Sequence, residues 1–265
     1  MTALDGLETL RAGADGAIGS LVLDRPAKLN AMSRRMLSEL VAAARWFDAQ
    51  ADVKVVVVRG EGRAFTGGAD ITAMGPADDG TDAARREATD LGRRMAEAVG
   101  DMRAMTIAAI HGHCVGGGVV LATACDLRIA AEGTRFAIPE VDLGIPLTWS
   151  GIPRLVRELG PALTKELVLL CRPFDAAEAH AMRFVNRVVP AEELEAEAAR
   201  WAEKLASQPA YSLTLTKRHV NAVAEEAGST AHSFREAETL LEALRDEESL
   251  AAMAAYLQRR GTGAR

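Results

Sequence analysis

Lys54-Val55-Val56-Val57-Val58-Arg59, followed closely by Ala64-Phe65-Thr66-Gly67-Gly68-Ala69-Asp70-Ile71, is the stretch on which the fold turns. Consecutive valines without polar alternation read as a strand covered on both faces. Upstream, the segment from Ser33 to Gln50 carries Met36, Leu37, Leu40, Val41, Ala44 and Phe47 on one stripe. That spacing predicts a helix, with Ser33 as its N-cap. Ala17–Leu23 reads as a strand before it. Thr106–His111 and Leu127–Ala131 read as strands after it, separated by the glycines Gly116–Gly118 and a short apolar helix. Repeated strand–helix–strand units of this length imply an α/β architecture with crossover connections.

Beyond about residue 145 the β signals fade, apart from Val185–Val189. Helical patterns follow at Ile152–Leu159, Ala162–Leu170, Ala176–Met182, Ala191–Ser207, Ala210–Ala224 and Thr230–Arg245. Asp175 with Glu178 three residues on makes a capping box for the third. Pro190 and Pro209 sit where helices begin. The plan is an α/β core over residues 1–200 and a helical region over 201–265. Gly75–Asp82, rich in Gly, Asp and Pro, reads as a mobile surface loop. There are no internal repeats.

Composition narrows the classes. A net charge of −6 argues against wholesale nucleic-acid binding, which needs a basic face to neutralise phosphates. An anionic ligand would have to be met by local cations and backbone N–H groups. Cys114, Cys125 and Cys171 are far apart and in apolar surroundings, with no CxxC pair, so neither a disulfide framework nor a metal site is signalled. The longest apolar run, Cys114 to Cys125, is too short for a membrane span. Asp5 and Glu8 near the start do not suit a secretory signal, so a cytoplasmic protein is the expectation.

Chemistry concentrates in three places. The first two are the Ala64–Ile71 turn and His111-Gly112-His113-Cys114-Val115-Gly116-Gly117-Gly118. Glycines at a strand-to-helix turn let a ligand approach the backbone and leave N–H groups unpaired at the positive end of a helix. Two such turns brought together could aim two N–H groups at one oxygen; close packing is the alternative reading. There is no G-x-G-x-x-G after the first strand and no phosphate-loop Gly-Lys-Ser/Thr. The third place is Phe136-Ala137-Ile138-Pro139-Glu140-Val141-Asp142-Leu143-Gly144-Ile145-Pro146. Burial of Glu140 would raise its pKa and suit it to proton transfer. The alternative is a carboxylate paired to Arg135 or Arg154. His111 and His113 are candidates for proton chemistry by location, or histidines that merely fill hydrogen bonds at a strand end.

These three segments, in this order, resemble the crotonase (enoyl-CoA hydratase/isomerase) superfamily. Asp24-Arg25-Pro26-Ala27-Lys28-Leu29-Asn30-Ala31 is similar to that family's R-P-x-K-x-N-A, and Ala177–Val189 adds Asn186-Arg187-Val188-Val189. The resemblance spans about residues 15 to 210. It implies a crotonase-like spiral of ββα units with a C-terminal helical region, assembled as a homotrimer or homohexamer. It implies an acyl-CoA substrate, no metal, and no cofactor beyond the coenzyme A that enters with the substrate. The N–H groups of Ala69 and Gly117 would form an oxyanion hole, and Glu140 would be catalytic. Arg25, Lys28, Asn30, Ala31, Gly68, Asp70, Ile71, Thr72 and Gly116 would line the coenzyme A and thioester site; Thr72 stands where many relatives carry a basic residue.

Family hydratases carry a second glutamate in the first turn of the helix after the glycine run; here it is Val120. A valine neither donates nor accepts a hydrogen bond, so a water would be held by Glu140 alone. Moving a double bond from the 3 to the 2 position needs one base, so isomerisation is favoured over hydration. The family's dienoyl isomerases use an acid eight residues after the glutamate, where this chain has Thr148. Thr148 and Trp149 would shape the acyl pocket, or serve as a helix-start cap and a core aromatic. Two other readings stay open: a hydratase that tolerates Val120, and an acyl-CoA-binding protein without catalysis.

Overall fold

The computed structural model describes residues 2–71 and 81–262. In chain order the strands and helices are β1 (Thr2–Ala3), β2 (Leu10–Asp15), β3 (Ile18–Leu23), α1 (Arg34–Ala49), β4 (Val55–Gly60), α2 (Asp82–Gly100), β5 (Met105–Ile110), β6 (His113–Val115), α3 (Gly117–Ala124), β7 (Leu127–Ala131), β8 (Arg135–Ala137), α4 (Gly151–Leu169), β9 (Phe174–Asp175), α5 (Ala176–Ala181), β10 (Arg187–Val189), α6 (Leu194–Ala206), α7 (Ala210–Ala227), α8 (Glu236–Ala243) and α9 (Glu247–Thr262).

The valine run becomes β4, the middle strand of a seven-stranded sheet ordered β1-β2-β3-β4-β5-β7-β10. From β3 onward every neighbouring pair is parallel. The valines serve both faces. Val55 packs with Ile107, Ile129 and the Leu194, Ala198 and Ala202 stripe of α6. Val56 and Val58 pack on the other side with Leu40, Phe47 and Leu121 from α1 and α3. Complete removal of such side chains from water contributes roughly 1.5–3 kcal/mol each before chain entropy is set against it.

A second, three-stranded sheet, β6-β8-β9, accounts for the spiral. Strand β5 of the large sheet continues into β6 of the small one and then α3; β7 continues into β8 and then α4. The turn before repeats the plan in reduced form: β4 leads to Thr66, which bridges in parallel to Cys114, and then to α2. Each ββα turn thus deposits its glycine-rich or Pro-Glu corner at the same end.

The helix-start signals act as expected. The Ser33 hydroxyl accepts from Met36 N–H, and the Asp175 carboxylate accepts from Glu178 N–H. The helices expected at Ile152–Leu159 and Ala162–Leu170 form one α4, broken where Gly160 takes a non-helical conformation ahead of Pro161. Three features lay outside the sequence reading: the β2 hairpin strand, helix α2 and the small sheet. The β2 segment is alanine-rich, with little β-branched signal. Helix α2 carries an interior glycine and a dense run of charges. Residues 200 and 201, where the reading divided core from tail, lie inside α6. Of the loop expected at Gly75–Asp82, residues 75–80 lie outside the described residues, as does Thr72.

Candidate active site

Three chain segments meet where the spiral's corners stack. Asn30 anchors the first. Its Nδ2 donates to Ala64 O at 2.8 Å and Glu61 O at 2.9 Å, and its Oδ1 accepts from Arg25 N–H. Thr66 Oγ1 donates to Asn30 O and accepts from Gly68 N–H, clamping the glycine turn to the Arg25–Ala31 stretch. The turn then forms a parallel bridge between Met32 and Ala69. In that bridge Met32 N–H donates to Gly68 O and Asp70 N–H donates to Met32 O, so the N–H of Ala69 points the other way.

The second glycine turn lies against the first. A Cβ built on Gly68 would stand 2.5 Å from Val115 O and 3.6 Å from the Gly117 nitrogen. Gly116 has φ 52° and ψ −116°, a region that L side chains avoid. Its N–H donates to Ala137 O, tying this turn to the strand that leads to Glu140. Gly117 opens α3, where the first N–H groups have no partner within the helix. Among the described residues, neither Ala69 N–H nor Gly117 N–H donates a hydrogen bond.

Glu140 completes the site. Leu143 N–H and Ile145 N–H both donate to its carbonyl, which fixes a tight turn after Pro139. Its Oε1 packs onto the Gly116 Cα, where any Cβ would stand 2.3 Å away. Oε2 is buried and has no hydrogen-bond partner among the described residues. Burial pushes the carboxyl's pKa up to about 7. Neither arginine offered as a partner meets it: Arg135 approaches Asp175, and Arg154 donates to Ala96 O. The alternative reading of Glu140 as an ion-paired carboxylate is therefore set aside.

A cavity of ≈ 350 Å³ opens in front of these groups, lined among others by Lys28, Ala31, Gly68, Asp70, Ile71 and Gly116. A smaller one of ≈ 30 Å³ continues behind it, lined by Gly117, Val120, Thr148 and Trp149. Ala69 and Glu140 border both. The family described as enoyl-CoA hydratase/isomerase matches residues 13–262.

The chain belongs to this family.

A probable enoyl-CoA hydratase of Rhizobium meliloti is 37% identical over 96% of each chain. A Δ(3,5)-Δ(2,4)-dienoyl-CoA isomerase of Arabidopsis thaliana is 35% identical over 69% of each. The crystal structure of an enoyl-CoA hydratase/isomerase from Xanthobacter autotrophicus Py2 superposes with a TM-score of 0.84 at 30% identity, covering 96% of this chain and 99% of that one. The chain is therefore an enzyme of the hydratase/isomerase family with the crotonase fold.

Two of the residues expected to line the ligand site, Asn30 and Arg25, have partners within the chain. Asn30 is fully buried and its amide is spent on backbone carbonyls. Arg25 pairs with Asp70 at 3.0 Å and donates to Ala31 O, which ties it to two residues of the cavity wall. His111 shares a ring hydrogen bond with Gly62 O, and His113 sits exposed in β6; neither lines the cavity. The three cysteines are free and buried. No group of three metal-ligating side chains occurs among the described residues, and none of their helices is long and apolar enough to cross a membrane.

Residues from far along the chain also reach the site. Leu240 of α8 lines the small cavity and Tyr256 of α9 lines the large one. No motif flags either. The helical pattern read over Thr230–Arg245 includes Leu240, and only the fold shows where that residue lands.

Proposed function

We propose that Glu140 moves a proton along an enoyl-CoA thioester, with double-bond isomerisation favoured over hydration. The observation that carries this reading is the chemistry of the inner cavity: Glu140 is the ionisable side chain lining it, and Val120 lines it too. In this scheme the Glu140 carboxylate removes a proton from C2 of a 3-enoyl thioester. The C–H electron pair becomes an enolate, whose oxygen accepts from Ala69 N–H and Gly117 N–H. The electrons then shift to form the C2–C3 double bond as C4 takes the proton back from Glu140. Each oxyanion donor in such a site typically contributes roughly 3–4 kcal/mol to the transition state. Exposed Lys28 on the rim suits a coenzyme A phosphate, and the scheme needs no other cofactor.

Glu140→Gln should abolish conversion of 3-enoyl-CoA to 2-enoyl-CoA while leaving acyl-CoA affinity nearly unchanged; full activity in that variant would overturn the reading. Hydration is the second reading, favoured by the names of relatives such as the Rhizobium meliloti protein. Val120→Glu separates the two. If isomerisation is native, the substitution adds hydratase activity; if hydration is native, the rate changes little. Product mass reports directly, since isomers share a mass and hydration adds one water. Tight acyl-CoA binding with no turnover of any enoyl-CoA would instead mark a non-catalytic carrier. The reading also includes assembly as a homotrimer or homohexamer and a cytoplasmic location.

A further inference from the structure

Trp149 and Ser150 are consecutive non-glycine residues in the left-handed region, at φ 63° and 58°. Single residues visit that region at a cost, and a tandem pair persists only where its surroundings impose it. Here the surroundings are specific. Ser150 is fully buried, and its N–H donates to Glu236 Oε2 at 2.7 Å, a bond from the first turn of α8 across 86 positions of sequence. The strained turn drives the Trp149 ring into a slot between two glycines. A Cβ on Gly92 of α2 would lie 2.0 Å from the ring, and one on Gly117 would lie 2.2 Å from it. Gly92 thus leaves room in the middle of a helix where alanine would serve helicity better.

The ring borders two spaces. One is the ≈ 30 Å³ cavity that Glu140 also lines. The other, of ≈ 70 Å³, has Met32, Leu37, Ala88 and Leu244 among its walls. Trp149, Leu240 and Ala69 border both. The inner space has room for about two water-sized groups.

We infer that Trp149 is the stop that confines this enzyme to short acyl chains, and that Glu236 is the positioning residue that holds it in place. The inference rests on the acyl-thioester reading above and adds the substrate class: thioesters with only a few carbons beyond the reacting centre. Removing the ring joins the two spaces and admits a longer chain.

Binding of saturated butanoyl-, hexanoyl- and dodecanoyl-CoA, measured by calorimetry, tests this without turnover. Wild type should bind butanoyl-CoA more tightly than dodecanoyl-CoA. Trp149→Ala, and Trp149→Leu as a milder change, should raise dodecanoyl-CoA affinity by roughly tenfold or more, because each newly housed methylene contributes about fourfold. Adding Ala88→Phe to either variant should refill the outer space and reverse the gain. Glu236→Ala should broaden chain-length preference in the same direction, whereas Glu236→Gln, which still accepts from Ser150 N–H, should keep it narrow. The ratio of long- to short-chain affinity is unaffected by a loss of folded protein, so a purely structural role would not move it. An unchanged ratio in both Trp149 variants overturns the inference alone; failure of wild type to bind any acyl-CoA sinks the functional reading with it.

Discussion

One oxygen of Glu140 lies on the Gly116 Cα and the other is buried without a hydrogen-bond partner among the described residues, so charging the group costs more in the folded chain than in the unfolded one. Below the reference value of 4.5 both states are protonated and this group leaves stability unchanged; between 4.5 and about 7 the unfolded chain releases the proton first. Stability therefore falls as pH rises through that window and levels off above it. The loss is about 3 kcal/mol at most, and burial shifts Glu236 in the same direction. Urea unfolding at pH 5 and pH 8 should show a smaller difference in Glu140→Gln than in wild type. Activity has the opposite slope, because the base must be ionised: it should rise through a pH near 7, and a flat profile would exclude Glu140 as the base. At this scale the sequence was informative where a motif marked the candidate site. It named Glu140, Ala69, Gly117 and Val120, but it could not show that Asn30 spends its amide on the backbone, since that depends on which carbonyls the fold brings within reach.

Helix α7 is legible in sequence as a helix, yet the way it is held is not. Its apolar residues suggest an apolar anchor, but Val220 and Val223 are 60% and 67% exposed, and the buried residue is Lys217. The ammonium donates to Asp126 Oδ2 at 2.8 Å and to Ala104 O at 2.9 Å. Asp126 also accepts from the backbone and hydroxyl of Thr106, so α7 is pinned to the start of β5 and the end of α3 through one carboxylate. A buried pair is weak evidence of net stabilisation, but breaking it strands a charge. Lys217→Ala should lower unfolding free energy by about 3–5 kcal/mol. The double variant Lys217→Met, Asp126→Asn should recover much of that loss in urea melts; equal losses in the two would contradict the ion-pair account. Helix periodicity reads which side of a helix is apolar. It does not reveal a lysine whose partner lies 91 residues earlier.

Across the whole molecule, exposed apolar side chains gather in the latter half: Leu169 and Leu170 at the end of α4, and Tyr211, Val220 and Val223 on α7. Exposed apolar residues in such number are candidates for burial against another copy, and the homo-oligomer in the functional reading would cover them. Light scattering after gel filtration should give a mass three or six times that of the chain, and Val223→Glu should shift it toward one; a monomeric wild type would remove assembly from the reading. The parallel-sheet plan was legible because valine runs and helix stripes alternate. The hairpin β2 and helix α2 were not, because alanine-rich and charge-rich segments borrow their stability from partners distant in sequence.

The supply of Leu240 and Tyr256 by α8 and α9 divides the labour of this enzyme along its length. The atoms proposed to do chemistry, and Trp149 with them, are fixed before residue 150, while Leu240 and Tyr256 are added to the cavity walls by the last thirty residues. Exchanging that terminal stretch with another member's should leave the reaction intact and alter the diet only as far as Leu240, Tyr256 and the hold of Glu236 on Trp149 decide it.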